Sequence, residues 1–154
     1  MSGPNRQRSP TETAMISAGS SMAPRTHNLT AFHTNSIPEQ ERVVGRTKAG
    51  NIELTGTALP STAHLARVQI HQDGQELPIY RRSVPCGTVT EHGLYFVAFS
   101  ADRPRYDRML VRMFGATEDG VHDHLTDFSR PVSGACYFAP SLSALNDLAG
   151  PEDE

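Results

Sequence analysis

Apolar positions along the chain fall into patterned stretches separated by turn-forming residues. Ser36-Ile37-Pro38-Glu39 has the spacing of a capping box, with proline in the first turn, so a helix is predicted from Pro38 to about Val44, ended by Gly45. Residues 49–62 are Gly, Thr, Asn and Pro with scattered Leu, the signature of an irregular loop long enough to carry function. From Leu65 to Ile70 the alternation is imperfect but strand-like. An Asp73-Gly74 turn followed by Glu76 to Val84 completes a hairpin signal. The continuous apolar run Gly93 to Phe99 predicts a central strand buried on both faces. Between Arg105 and Phe114, apolar residues recur at helical spacing with Arg105, Arg108 and Arg112 on other faces, and Gly115 closes the helix. Its Met109 and Met113 read as core. A second short helix is expected over Val121 to Phe128, ended before Pro131. Val132 to Ala139 reads as the last strand, and Ser141 to Leu145 opens a terminal helix. This order fits an α+β fold with a ferredoxin-like antiparallel sheet and helices on one face.

Composition bounds that picture. A chain of 154 residues can bury one core, although 37% hydrophobic content is lean. The leanness lies at the ends. Residues 1–25 are rich in Ser, Thr, Pro, Gly and Arg and are expected to be disordered, residues 26–148 to form the domain, and residues 149–154 an acidic tail. The net charge of −3 comes from 14 basic and 17 acidic residues spread along the chain, which leaves no basic stripe for nucleic acid. No apolar run approaches the roughly 20 residues of a membrane span. Arg6 and Arg8 are followed by no apolar leader core, so a cytoplasmic location is expected. Cys86 and Cys136 make neither a disulfide framework nor a zinc motif and are expected as small buried hydrophobes.

The candidate chemistry centres on His64, at the head of the strand-like run, with Arg81 and Arg82 arriving across the turn. A neutral imidazole beside a permanent cation suits an axial metal ligand paired with a group that handles peroxide or carboxylate oxygens. A histidine taken alone is more often a surface or hydrogen-bonded core residue. Arg46 follows a predicted helix C-terminus, where a solvated basic cluster is the plain reading. Asp123 and Asp127 would share a helix face, usually a solvated one.

Several blocks occur in an order and spacing that resembles the dye-decolorizing (DyP-type) haem peroxidases. These are Glu39 to Lys48, Ser61 to Val68, Ile79 to Ser83, Gly93 to Phe99 and Asp127 to Pro140, spanning about Thr26 to Leu148. The resemblance covers the C-terminal half of such enzymes, which usually pair two ferredoxin-like halves. The Gly-x-x-Asp-Gly motif of the first half, with its distal Asp, does not occur in this sequence. By resemblance the cofactor is heme b, with His64 as the iron's axial ligand and Asp123, preferred to Asp127, accepting its outer N–H. Arg81 is implied on the distal side. It follows Ile79-Tyr80 as in relatives, although a register slip of one residue would put Arg82 there instead. Arg46 matches a propionate partner, and Ser83 stands where some relatives carry Asn. The implied activity is reduction of hydrogen peroxide with oxidation of an organic electron donor. The missing half keeps other readings open: a truncated or inactive haem-binding remnant, a homo-oligomer, a subunit whose partner supplies that half, or a barrel dimer binding a small ligand without metal. A sheet face left open would otherwise be exposed.

Overall fold

The structure, a computed structural model, describes residues 14–22, 28–88 and 92–149. In chain order these form strand β1 (Ala14–Met22), helices α1 (Asn28–Thr34), α2 (Ile37–Val44) and α3 (His64–Val68), and the two-residue strands β2 (His71–Gln72) and β3 (Gln75–Glu76). There follow strands β4 (Tyr80–Gly87) and β5 (His92–Ser100), helix α4 (Arg103–Met113), strand β6 (Arg130–Ala139) and helix α5 (Leu142–Ala149), with 3-10 turns at Gly56–Ala58 and His124–Asp127. The four long strands pair in the order β4-β5-β1-β6, antiparallel throughout. That order, with helices inserted after the first and third long strands, is the ferredoxin-like α+β arrangement. No helix among the described residues is long and apolar enough to cross a membrane.

Helix α2 forms as expected: the Glu39 carboxylate accepts from the Ser36 amide at 2.8 Å and from its hydroxyl at 2.7 Å, and Gly45 caps the C-terminus at φ 87°. Asp102 caps α4 by accepting from the Arg105 amide at 3.1 Å. The Asp73-Gly74 turn carries positive φ at both residues (51° and 75°), as a type I′ hairpin turn requires.

Five expectations are corrected. The segment expected to be disordered contains β1, which pairs with β5 on one side and β6 on the other; residues 1–13 and 23–25 lie outside the described residues. A Ser- and Gly-rich composition argues against a core contribution, but a strand between two neighbours is held by its backbone ladder on both edges. The run from Leu65 is a helix rather than a strand, because Leu65 and Val68 both bury against neighbouring helices at a three-residue spacing. Strand β5 is covered on one face only: Ala98 is buried while Tyr95 and Phe99 are exposed. Instead of an α-helix, residues 124–127 form a 3-10 turn capped by Asp123, whose side chain accepts from the Leu125 amide. Cys86 and Cys136 are exposed rather than buried.

The core lies between the inner sheet face and the α3–α4 pair. Val68, Ile70 and Met109 form its buried centre, with Phe96, Tyr106 and Leu110 packed around them. Each large aliphatic side chain buried there contributes on the order of 1.5–3 kcal/mol.

Candidate functional site

His64 is the first residue of α3 and lines a cavity of about 480 Å³ between α4 and the inner sheet face. The backbone of residues 60–64 brings it there: the Ala63 amide donates to Pro60 O at 3.0 Å, and the His124 amide donates to Thr62 O at 2.9 Å. His64 Nδ1 is 2.6 Å from Asp123 Oδ2. Asp123 is fully buried and accepts from the Leu125 amide at 2.9 Å through its other oxygen. With both oxygens used as acceptors, the shared proton belongs on His64 Nδ1, which leaves Nε2 as a free electron pair. Nε2 has no partner among the described residues. Asp127 is engaged elsewhere, 2.9 Å from His122 Nε2 and 3.3 Å from His124 Nε2.

Strand alternation separates the two arginines. Arg81 and Ser83 line the cavity, while Arg82 turns to the outer face and lies 4.4 Å over the Tyr80 ring. The Arg81 guanidinium donates to Val68 O at 2.9 Å and lies 3.5 Å from Met109 Sδ. Burial lowers its pKa from the ordinary value, with Glu76 opposing; arginine remains a cation regardless. Its Nε and Nη2 have no partner among the described residues. The other walls are mostly apolar, with Leu94, Phe96, Leu110 and Phe114 among them, and no carboxylate among the described residues lines the cavity.

Thus His64, Asp123, Arg81 and Ser83 come together. Arg46 does not join them: it pairs with Glu53 and donates to Asn51 O at 2.9 Å, away from the cavity wall. Two residues that sequence reasoning missed support the site. Arg67, 3% exposed, and Arg112 tie α3 to α4, and neither carries a sequence signal separating it from a solvated arginine.

The profile described as Dyp-type peroxidase, C-terminal, matches residues 9–144. The chain belongs to the Dyp-type peroxidase family. It is 38% identical over 124 residues to a dye-decolorizing peroxidase of Mycolicibacterium paratuberculosis, covering 79% of this chain and 35% of that protein. With its Mycobacterium tuberculosis counterpart it shares 37% over 123 residues, covering 78% and 37%. Among solved Dyp-type structures, a Rhodococcus jostii DypB variant in complex with heme superposes with a TM-score of 0.78 at 34% identity, over 86% of this chain and 43% of that one. A dye-decolorizing peroxidase from Bacteroides thetaiotaomicron gives 0.78 at 30%, over 88% and 42%. The chain therefore spans little more than a third of the length of these curated Dyp-type relatives.

Proposed function

We propose that this chain is the haem-binding half of a peroxidase that reduces hydrogen peroxide while oxidising an organic electron donor. The observation that carries the reading is the His64–Asp123 pair, which fixes one imidazole nitrogen as donor and leaves the other free at an apolar cavity with a cation on its wall. The residues present fit heme b. About 480 Å³ is within the roughly 300–1,000 Å³ usual for cofactor pockets, and apolar walls suit a porphyrin face. His64 would hold the iron, and when bound the haem supplies the redox chemistry at peroxide.

The chain's own residues do the rest. Asp123 keeps the proton on Nδ1 and makes His64 a stronger electron donor. Arg81 offers fixed positive charge, preorganised by its bond to Val68 O, where negative charge develops on a peroxide oxygen. No carboxylate among the described lining residues serves proton transfer, which favours an acid–base group supplied by a complementary half.

A subunit acting with a complementary half is favoured over a self-sufficient enzyme by one further observation. Tyr80, Val84, Tyr95, Phe99 and Tyr137 lie exposed on the outer sheet face, an apolar surface that a second sheet would cover. Haem titration of the purified chain followed by visible absorption tests the reading. Stoichiometric uptake with a sharp Soret band, lost in His64→Ala, is expected. A broad band shared by the variant would mean that haem adheres to the outer face, and the reading would fall.

A further inference from the structure

We propose that Arg67 and Arg112 form a cross-brace that sets the spacing of the His64–Asp123 pair, acting as positioning residues for the ligand nitrogen. The inference rests on the haem reading above for its functional meaning, but its geometry is independent of it. Helix α3 has five residues, too few to be stable alone, and its last carbonyls lack partners within the helix. Arg112 supplies them, donating through Nη2 to Ala66 O at 2.7 Å and through Nε to Arg67 O at 3.2 Å. Arg67 returns a bond from Nε to Arg112 O at 3.0 Å.

The far end of Arg67 is anchored as well. Its Nη1 lies 2.9 Å from Asp119 Oδ2, and its Nη2 donates to Thr117 Oγ1 at 3.0 Å. Two guanidinium groups side by side repel: burial, and then Arg67, pull the Arg112 pKa below its ordinary value, with Asp119 opposing. A fold that only needed α3 packed against α4 could use apolar side chains without that repulsion.

The neighbouring residue of α4 completes the arrangement, since Met113 O accepts the Asp123 amide at 2.8 Å. Both partners of the 2.6 Å bond therefore hang from consecutive α4 residues, His64 through α3 and Arg112, and Asp123 directly from Met113. Loosening one arm displaces the imidazole relative to the carboxylate.

The test uses the full chain without haem and follows solvent exchange of the His64 Nδ1–H proton by NMR, with the Ala98 amide in β5 as reference for global opening. Arg112→Met removes both donors to α3 and is expected to speed Nδ1–H exchange ~10-fold or more while the Ala98 amide is unchanged. Arg112→Lys, with one donor restored, should recover part of the protection. Unchanged Nδ1–H exchange in Arg112→Met, or exchange that moves only in step with Ala98, overturns the proposal. Should Arg112→Met not fold, Asp119→Asn is read in the same way, faster selective exchange supporting the brace and no change overturning it. A parent chain with a protected Nδ1–H but no Soret band on haem addition would defeat the haem reading and leave the brace standing.

Discussion

Asp123 has two obligations, and an amide can meet only one of them. Asn at 123 could accept from Leu125 while presenting its NH2 to His64, or do the reverse; either way a donor meets a donor. The first arrangement forces the proton onto Nε2 and removes the ligand electron pair. Asp123→Asn is expected to keep the fold but weaken haem uptake ~10–100-fold in Soret titrations. Arg81→Ala should leave haem uptake intact while lowering peroxide turnover by ~100-fold or more, measured in stopped-flow with the loaded chain. At this scale the block resemblance singled out His64, Arg81 and Asp123, and the structure places His64 and Arg81 on one cavity with Asp123 bonded behind His64. Arg46, which the same blocks singled out, pairs instead with Glu53 of the neighbouring loop, a contact that no block pattern encodes. Arg67 and Arg112 were unreadable, since the value of a buried guanidinium lies in the carbonyls it reaches, and those are set only by the fold.

Where α2 ends, the backbone passes close to α3. A Cβ added to Gly45 would lie 2.6 Å from Leu65 Cβ and 3.0 Å from Leu59 Cδ1, and φ of 87° is itself costly for an L side chain. Gly45→Ala should destabilise by about 2 kcal/mol or more, seen as a lower urea midpoint, and should disturb haem uptake because Leu65 adjoins His64. The α3–α4 brace brings a pH dependence. Hydrogen bonds from Arg67, and then from Thr117 and the Val121 amide, hold the Asp119 carboxyl well below the usual carboxylate range. A depressed folded-state pKa contributes stability that is complete above the ordinary carboxylate value and is withdrawn as pH falls through the folded one. Asp119→Asn should therefore be less stable than the parent near neutrality, with the gap closing as pH drops below about 4. Helices α2 and α4 were legible because caps and periodicity are local. Helix α3 was not, since five residues offer too little periodicity to separate helix from strand.

At the scale of the whole molecule, the outer sheet face dominates. Tyr80, Phe99 and Tyr137 occupy matching register positions across the sheet, with the Tyr80 and Phe99 rings 6.0 Å apart. Sedimentation velocity of the isolated chain should show self-association, and Phe99→Lys with Tyr137→Lys should shift it toward monomer without altering the cavity on the opposite face. The open face was foreseeable from the block resemblance, which spans only half of a two-sheet enzyme, whereas composition alone misassigned the strand at its centre. That strand has a consequence of another kind. Among the described strands β6 pairs with β1 alone, so it joins the sheet through a contact between residues 14–22 and 130–139, with residues 23–129 looped between them. The hairpin of β4 and β5 can close early, but the sheet is finished by its most distant contact, which favours slow, late closure. A single proteolytic cut between residues 22 and 28 would turn that late contact into an association between two fragments, and the sheet would then dissociate on dilution.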